Sequence, residues 1–355
     1  MVKFYKLRVC QIQKTTRDAI VVSLEPELGE DFNFIQGQYL TFRKHFGGEE
    51  VRRSYSICSG KDDRQLQVGI KRVDGGAFSN WANSDLRVGD ILESMLPMGN
   101  FYSQADGQNA QYLAFAGGSG ITPILSILRT GLKAELESKY TLIYANRNIN
   151  TIMFRQELED LKDIYLDRLS IIHILEDGSQ DIDLFQGLVD GKKCVELFNG
   201  WIDIKSVDMA FICGPKAMMT TISGALKAHG LDERQIRFEF FSNGRKRQTK
   251  RRHKAQEKVE DGVLGKVVIG GETRAITILN DTSLLQSALD NNIDVPYACR
   301  AGICSTCKAK VTEGEVEMIS NHALEDYEVE AGFVLTCQCY PVSKVIFWDY
   351  DQAGH

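Results

Sequence analysis

Over the first hundred residues, apolar positions alternate with polar ones or gather in short β-branched runs: AIVVSLEP, QYLTFRK, RRSYSIC, RQLQVGIKRV and DILESMLP, separated by glycines and acidic turns. Period-two alternation turns one face of each segment toward a core, and several such segments at close spacing predict an antiparallel barrel over residues 1–105. From about residue 111 the period changes. The strand QYLAFA runs into a Gly-rich turn and a helix from Pro123 to about Glu137. The strand TLIYAN, the helix MFRQELEDLKDIY, the strand LSIIHIL and later MAFICG with a helix after Pro215 follow. Strands alternating with helices need crossover connections, so residues 106–241 are expected to form a parallel α/β sheet. Residues 263–355 give two short strands (VLGKVVI, RAITILN), a helix near 282–291, a cysteine-rich loop and further strands ending in VIFWDY.

A chain of 355 residues accommodates two or three domains. Its 43% hydrophobic and 25% charged residues exclude global disorder and a fibrous repeat. The net charge of −6 argues against a chain built mainly to grip nucleic acid, but that charge is unevenly spread. Residues 1–241 carry 28 basic and 32 acidic side chains, and residues 255–355 carry 7 and 16, a balance of −9. Between them SNGRKRQTKRRHK holds seven Lys or Arg, no acid and no apolar period, which reads as a solvated tether within a linker at 242–262. The start, MVKFYKLRVCQIQKTT, lacks the unbroken apolar core of a secretory signal, and no apolar run approaches the ~20 residues that cross a bilayer. The expected setting is the cytosol, away from membranes, with the nine cysteines reduced or metal-bound.

The strongest chemical signal is CRAGICSTC. Cys299, Cys304 and Cys307 stand with four and then two residues between them, and Cys337 follows after 29 more, the plant-type [2Fe–2S] spacing. Thiolates are soft, anionic donors for iron. Ala301, Gly302 and Ser305 are small enough for loop N–H groups to reach the sulfurs. A competing pattern is a zinc ribbon from Cys304, Cys307, Cys337 and Cys339, which leaves Cys299 idle and spaces the second pair too closely. On a strand Cys337 and Cys339 point the same way, so geometry alone leaves a swap open; the spacing selects Cys337. Cys10, Cys58 and Cys194 read as small core residues.

Two earlier motifs bear on the same chemistry. In Arg53-Ser54-Tyr55-Ser56, strand alternation puts Arg53 and Tyr55 on one face, a cation and an aromatic plane suited to a phosphate and a flavin ring, with Ser56 at the ring edge. Gly75-Gly76-Ala77-Phe78-Ser79 suits a backbone approach to phosphate where a short helix starts. Gly117-Gly118-Ser119-Gly120-Ile121-Thr122-Pro123 follows a strand and opens a helix, where free N–H groups and the dipole favour a pyrophosphate. Pro123 suits the first helical turn. It also breaks the usual G-x-G-x-x-G pattern, so a plain Gly-rich turn stays open. The next strand ends in Asn146-Arg147 instead of the acid that binds a ribose 2′-hydroxyl; Arg147, with Arg155 assisting, favours the extra phosphate of NADP, and solvated helix-flanking charges are the other reading.

Together RRSYSIC, GGAFS, AGGSGITP, AFICGP and YACRAGICSTCKAKV, in that order, resemble the ferredoxin–NADP reductase superfamily with a plant-type ferredoxin fused at the C-terminus. The branch serving phenylacetyl-CoA epoxidases is the most similar, over nearly all of the chain. The resemblance implies a β-grasp fold for residues 263–355. It implies that Arg53, Tyr55 and Ser56 hold FAD, in preference to FMN, helped by Gly75, Gly76 and Ser79. It implies that Gly118, Ser119, Gly120 and Thr122 hold the NADP pyrophosphate, that Cys213-Gly214-Pro215 lies at the nicotinamide, and that Glu239 and Phe241 approach the flavin. Tyr55, Ser56, Cys213 and Glu239 are thus the candidate catalytic residues. The charged tether and Cys339 depart from the family pattern.

A nicotinamide surrenders two electrons together and a [2Fe–2S] cluster takes one, so a carrier able to hold one or two must stand between them. No hydrolytic triad or activated nucleophile is evident. The expected protein is an NADPH-dependent oxidoreductase that passes electrons through FAD and a [2Fe–2S] cluster of about −400 mV to an external acceptor. By resemblance that acceptor is a multi-subunit di-iron oxygenase acting on phenylacetyl-CoA, docking on the acidic ferredoxin domain. Another oxygenase, a hydroxylase or a hybrid-cluster protein as client, with NADH as donor, is left open by the residues. So is a non-catalytic redox sensor using the basic tether, although most charge runs are solvated spacers.

Overall fold

The computed structural model describes residues 2–27, 32–102, 109–177, 182–241, 262–279 and 281–353. The basic stretch 242–254 lies outside the described residues. The chain divides into two compact units, one of residues 5–241 and one built mainly on residues 242–355.

The first unit opens with β1 (Tyr5–Thr16), β2 (Ala19–Pro26), β3 (Tyr39–Phe46), β4 (Glu49–Ser56), β5 (Leu66–Lys71), α1 (Ala77–Ser84) and β6 (Ile91–Ser94). The strands form one antiparallel sheet in the order β4-β3-β6-β1-β2-β5. An isolated antiparallel bridge between Ile57 and Val68, with the Cys58 amide donating to the Gln67 carbonyl at 2.9 Å, joins the two edges. Closure removes the exposed edges an open sheet would leave. Inward positions Leu7, Val9, Ile20, Val22, Leu40 and Phe42 meet Phe78 of α1 in one core.

The unit continues with β7 (Gln111–Gly117), α2 (Ile121–Ala134), β8 (Lys139–Asn146), α3 (Arg155–Ile164), β9 (Leu169–Leu175), α4 (Gly191–Gly200), β10 (Met209–Gly214), α5 (Lys216–Ala228) and β11 (Ile236–Phe240). These strands make an all-parallel sheet in the order β11-β10-β7-β8-β9. Strand order reverses direction between β7 and β10, so the loops after these two strands open a crevice at the switch point. Helix α2 starts at Ile121, two residues before the expected Pro123. Helix α3 starts only at Arg155, because Phe154 sits in the left-handed region at φ 57°.

Eleven of the fourteen residues of α2 are buried, since the helix lies between its own sheet and the barrel. Polar contacts fix that seat. Ser126 Oγ donates to the Ser59 carbonyl at 2.7 Å, the Lys61 amide donates to Thr130 Oγ1 at 3.0 Å, and Asp63 takes Arg129 at 3.3 Å and Lys133 at 2.8 Å. These bonds hold the Asp63 carboxyl below its usual range against the opposing effect of burial.

The second unit contains β12 (Val263–Ile269), β13 (Glu272–Ile278), α6 (Leu284–Asp290), β14 (Lys308–Glu313), β15 (Val316–Met318), α7 (Asp326–Glu330), β16 (Phe333–Leu335), β17 (Cys339–Pro341) and β18 (Val345–Asp349). A mixed sheet runs β13-β12-β18-β14-β16, with β12 and β18 parallel, and a small ribbon pairs β15 with β17. Ser283 caps α6 by accepting from the Gln286 amide at 3.2 Å. The helix packs Leu284, Leu285 and Ala288 under the sheet beside Ile346 and Trp348. No described helix is long and apolar enough to cross a membrane.

Gly69 in β5 sets how closely the barrel meets α2: a Cβ there would stand 2.6 Å from Thr122 Cγ2 and 3.2 Å from the Phe154 ring. Gly69→Ala is therefore expected to destabilise the protein by about 1–3 kcal/mol in urea denaturation. Gly224→Ala, in the exposed interior of α5 with nothing within 4 Å, should stabilise it by roughly 0.5–1 kcal/mol. Equal effects of the two would show that the interface is loose.

Candidate functional site

At the switch point glycines let the backbones of the two loops come close together. A Cβ on Gly120 would collide with the Cys213 carbonyl, one on Gly117 would stand 2.7 Å from Pro215 Cδ, and one on Gly214 would stand 3.1 Å from Gly117 Cα. Gly118 adopts φ 53°, and its carbonyl accepts from Tyr144 Oη of β8 at 2.9 Å. That hydroxyl also accepts from the Met153 amide at 3.2 Å, so Tyr144 props the glycine loop from below. Thr122 turns inward, its hydroxyl donating to the Ser119 carbonyl at 3.0 Å. The result is a glycine-lined cradle at the start of α2, which carries no side-chain cap, and it fits a pyrophosphate.

On the barrel, Arg53 and Tyr55 share a face of β4. Tyr55 packs against Phe78 at 5.5 Å and Phe42 at 6.2 Å between ring centres, and burial pushes its phenol well up. Arg53 donates to the Arg52 carbonyl at 2.7 Å and makes no ion pair among the described residues, whereas the buried Arg52 is bound to Glu50 at 2.7 Å. Gly75, at φ 69°, and Gly76 lead into α1. Ser79 Oγ accepts from the Val73 amide at 3.1 Å, closing that turn, and leaves the first amides of α1 without a side-chain cap. A guanidinium without an ion-pair partner among the described residues, an aromatic wall and open helix amides fit the phosphate and ring of a flavin.

Ser56 Oγ at the end of β4 donates to Glu239 Oε1 in β11 at 3.1 Å, which brings the barrel and the parallel sheet together. Cys213 and Glu239 are register partners in β10 and β11, so they stand side by side. Burial raises the Glu239 carboxyl to about 8, opposed by the Ser56 bond. The second oxygen, Oε2, is buried without a partner. At pH 7 Glu239 is therefore mainly a neutral acid whose O–H is free to donate. Burial, then the Glu239 carboxyl, pushes the Cys213 thiol far up, so it stays protonated. Gly214 pairs with Phe240, Pro215 caps α5, and Phe241 follows β11 with 37% exposure. Ser56, Cys213, Gly214 and Glu239 thus come together.

The two arginines assigned to the extra phosphate differ. Arg147 is exposed beyond β8. Arg155 is held by Glu159 at 2.9 Å in an i,i+4 pair. The cation that shares the field of Arg147 is one the sequence reading passed over, Lys71 at the end of β5, whose Nζ lies 3.3 Å from where a Gly118 Cβ would stand. Burial first, and then Arg147, lowers its ammonium from the ordinary value. Lys71 makes no ion pair among the described residues. Its sequence signal is faint: a cation ending an apolar strand just before a Gly-Gly turn.

In the second unit the cysteines gather on loops. Cys304 Sγ lies 3.1 Å from Cys299 Sγ, and the neighbouring Cys299 and Cys307 push the Cys337 thiol far above its usual range. The Ala301 amide donates to Cys299 Sγ at 3.3 Å. Arg300 and Gly302, at φ 53° and 73°, turn the loop so that its amides face inward. Bonds from Cys304 and Cys337 and from the loop amides hold Cys299 far below the usual thiol range. Four converging sulfurs with N–H donors fit an anionic iron–sulfur group. Cys337 lies in a 3-10 turn, Thr336–Gln338, and not on a strand. Cys339 begins β17 and is fully buried in the apolar core, and burial raises its thiol. Thr336 Oγ1 accepts from Tyr350 Oη and donates to the Cys307 carbonyl, each at 2.9 Å, tying the third-ligand segment to the fourth.

Two outcomes are expected. Cys337→Ser should abolish or distort the cluster's visible spectrum and iron content while Cys339→Ser should not; the reverse would reassign the ligand. The folded-state value of Glu239, about 8, exceeds its ordinary 4.5, so the stability it contributes is complete below about 4.5 and lost as pH rises through 8. In melting curves across that range the wild type should lose stability relative to Glu239→Gln, and parallel profiles would mean that the group ionises normally.

Comparison with known proteins accounts for the three-part arrangement. Residues 6–102 match the oxidoreductase FAD-binding domain, residues 115–224 the oxidoreductase NAD-binding domain and residues 267–342 the 2Fe-2S iron-sulfur cluster binding domain. The chain is 41% identical over 358 residues to a component of the 1,2-phenylacetyl-CoA epoxidase of Escherichia coli (strain K12), covering 100% of this chain and 99% of that one. It is 31% identical to the 3-ketosteroid-9-alpha-monooxygenase ferredoxin reductase component of Rhodococcus rhodochrous, covering 95% and 94%. Among solved structures, phthalate dioxygenase reductase aligns with a TM-score of 0.60 and 25% identity over 98% of both chains. The chain belongs to the ferredoxin–NADP reductase superfamily, among the oxygenase reductase components that carry FAD-binding, NAD-binding and [2Fe–2S] domains.

Proposed function

We propose that this protein takes electrons from NADPH and delivers them to a phenylacetyl-CoA epoxidase, with residues 1–105, 106–241 and 263–355 as the flavin, nicotinamide and ferredoxin modules. The whole-length 41% identity carries the choice of client. When bound, a flavin accepts two electrons from a nicotinamide and passes them on singly to a [2Fe–2S] centre.

The chain's own residues supply position and charge. Arg53 and the α1 amides hold the flavin's phosphates, and Tyr55 walls its ring. Gly118, Ser119 and Gly120 let the pyrophosphate reach the α2 backbone, with Lys71 as an unneutralised charge beside them. Arg147 recognises the 2′-phosphate. Ser56 orients Glu239, whose free O–H and the neighbouring Cys213 thiol form a buried, uncharged wall at the reacting ring edge. That wall stabilises no competing ion and keeps water out. On the ferredoxin side, 16 acidic against 7 basic residues from 255 onward suit docking on a basic oxygenase surface, at a rate that falls with salt.

The test is anaerobic mixing of the purified protein with NADPH or NADH, followed by transfer to purified candidate oxygenases. Flavin bleaching and then cluster bleaching are expected, with the product epoxide formed only by the phenylacetyl-CoA enzyme. Transfer only to a 3-ketosteroid or other oxygenase would move the client. Arg147→Ala should weaken NADPH use about tenfold more than NADH use, and an equal loss would remove the 2′-phosphate role.

A further inference from the structure

Gln338 stands between Cys337 and the buried Cys339, in the turn that carries the fourth sulfur. Its Nε2 lies 3.1 Å from the Arg300 carbonyl, 3.0 Å from the Cys337 carbonyl and 3.8 Å from Cys337 Sγ. All three groups accept, so the amide nitrogen and not its oxygen must face them. Arg300 adjoins Cys299, which means that one side chain spans the loops carrying the first and fourth sulfurs. The fit is close from both sides. A Cβ on Gly302 would stand 2.9 Å from Gln338 Cγ and 2.5 Å from the Ser320 carbonyl. The Gln338 carbonyl is in turn pinned by the Ile319 amide at 3.0 Å.

We propose that Gln338 is a positioning residue that sets the reduction potential of the [2Fe–2S] group through an N–H···S bond to Cys337, while strapping the two ligand loops together. Reduction adds one electron, and so one negative charge, to the irons and their thiolates; no proton moves and no bond breaks. A donor on the thiolate stabilises the more negative state and raises the potential. The backbone amide at Cys299 does the same from the other side, but it cannot be varied by substitution. Gln338 can.

The inference rests on Cys337 being a ligand, which the spectrum of Cys337→Ser checks separately. The full-length holoprotein is titrated with dithionite and mediators, following the reduced cluster by electron paramagnetic resonance, with iron content and oxidised circular dichroism measured alongside. Gln338→Leu should hold full iron and become harder to reduce, by at least threefold in the one-electron equilibrium, or about 28 mV. Gln338→Glu, which replaces the donor by a carboxylate, should move further the same way. A merely structural strap would lose iron without shifting the remaining cluster. Full iron with an unchanged or raised potential in either variant overturns the proposal. Should both variants lose iron, the wild type decides: with heavy nitrogen in glutamine side-chain amides, pulsed resonance of the reduced cluster must show a coupled nitrogen, and its absence overturns the proposal. A wild type lacking the [2Fe–2S] signal would instead overturn the site.

Discussion

Direct backbone contact between the ends of β7 and β10 is the constraint from which the nucleotide site follows. Gly117, Gly120 and Gly214 leave no room for a Cβ. The loops therefore close on each other, the carbonyl of Cys213 sits against the start of α2, and helix amides remain open to the crevice. Tyr144 holds the one positive-φ residue of the Gly117–Gly120 turn, Gly118, by its carbonyl. Without that prop, a loop of glycines would have many conformations to lose on binding.

The same region solves an electrostatic problem. A carboxyl buried at the meeting of barrel and sheet is costly if ionised, and Glu239 avoids the cost by keeping its proton, with Ser56 donating to one oxygen. Lys71 meets the opposite situation, a partly buried cation repelled by Arg147 and lacking an ion-pair partner among the described residues. Such a cation is tolerable beside the anion site proposed for this crevice. Burial thus pushes both groups toward their uncharged forms, keeping the proton on Glu239 and working against the charge on Lys71.

In the iron–sulfur unit the requirement is to hold four mutually repelling thiolates. Loop amides, the Thr336 and Tyr350 hydroxyls and the Gln338 amide tie the ligand segments to one another. Those ties use groups outside the ligand spacing, which is why a cysteine count reveals the cluster and not what tunes it.

Local patterns settled much of this. Period-two alternation in AIVVSLEP and the alternation of strand and helix from QYLAFA onward are properties of neighbouring residues, and the four-then-two cysteine spacing is set by how far a loop can wrap a cluster; all are legible in one dimension. The start of α3 was not, because the left-handed turn at Phe154 is imposed by tertiary packing that no residue preference announces. Strand β1 and helix α4 are not among the elements the sequence pattern predicts, since polar outward positions and the Gly-Lys-Lys start of α4 mask their apolar faces. Cys339 begins β17 and Cys337 lies in the 3-10 turn before it, a difference in local backbone that the cysteine spacing does not reveal, and both belong to the same apolar core. Lys71, Tyr144 and Gln338 reach partners 47, 26 and 38 positions away, at Gly118, Gly118 and Arg300. Sequence alone determined which cofactor chemistry the chain can hold, because that depends on residue type and short spacing. The tertiary structure decided which charges stay bare and which donors reach a sulfur, because those depend on distances between segments remote along the chain.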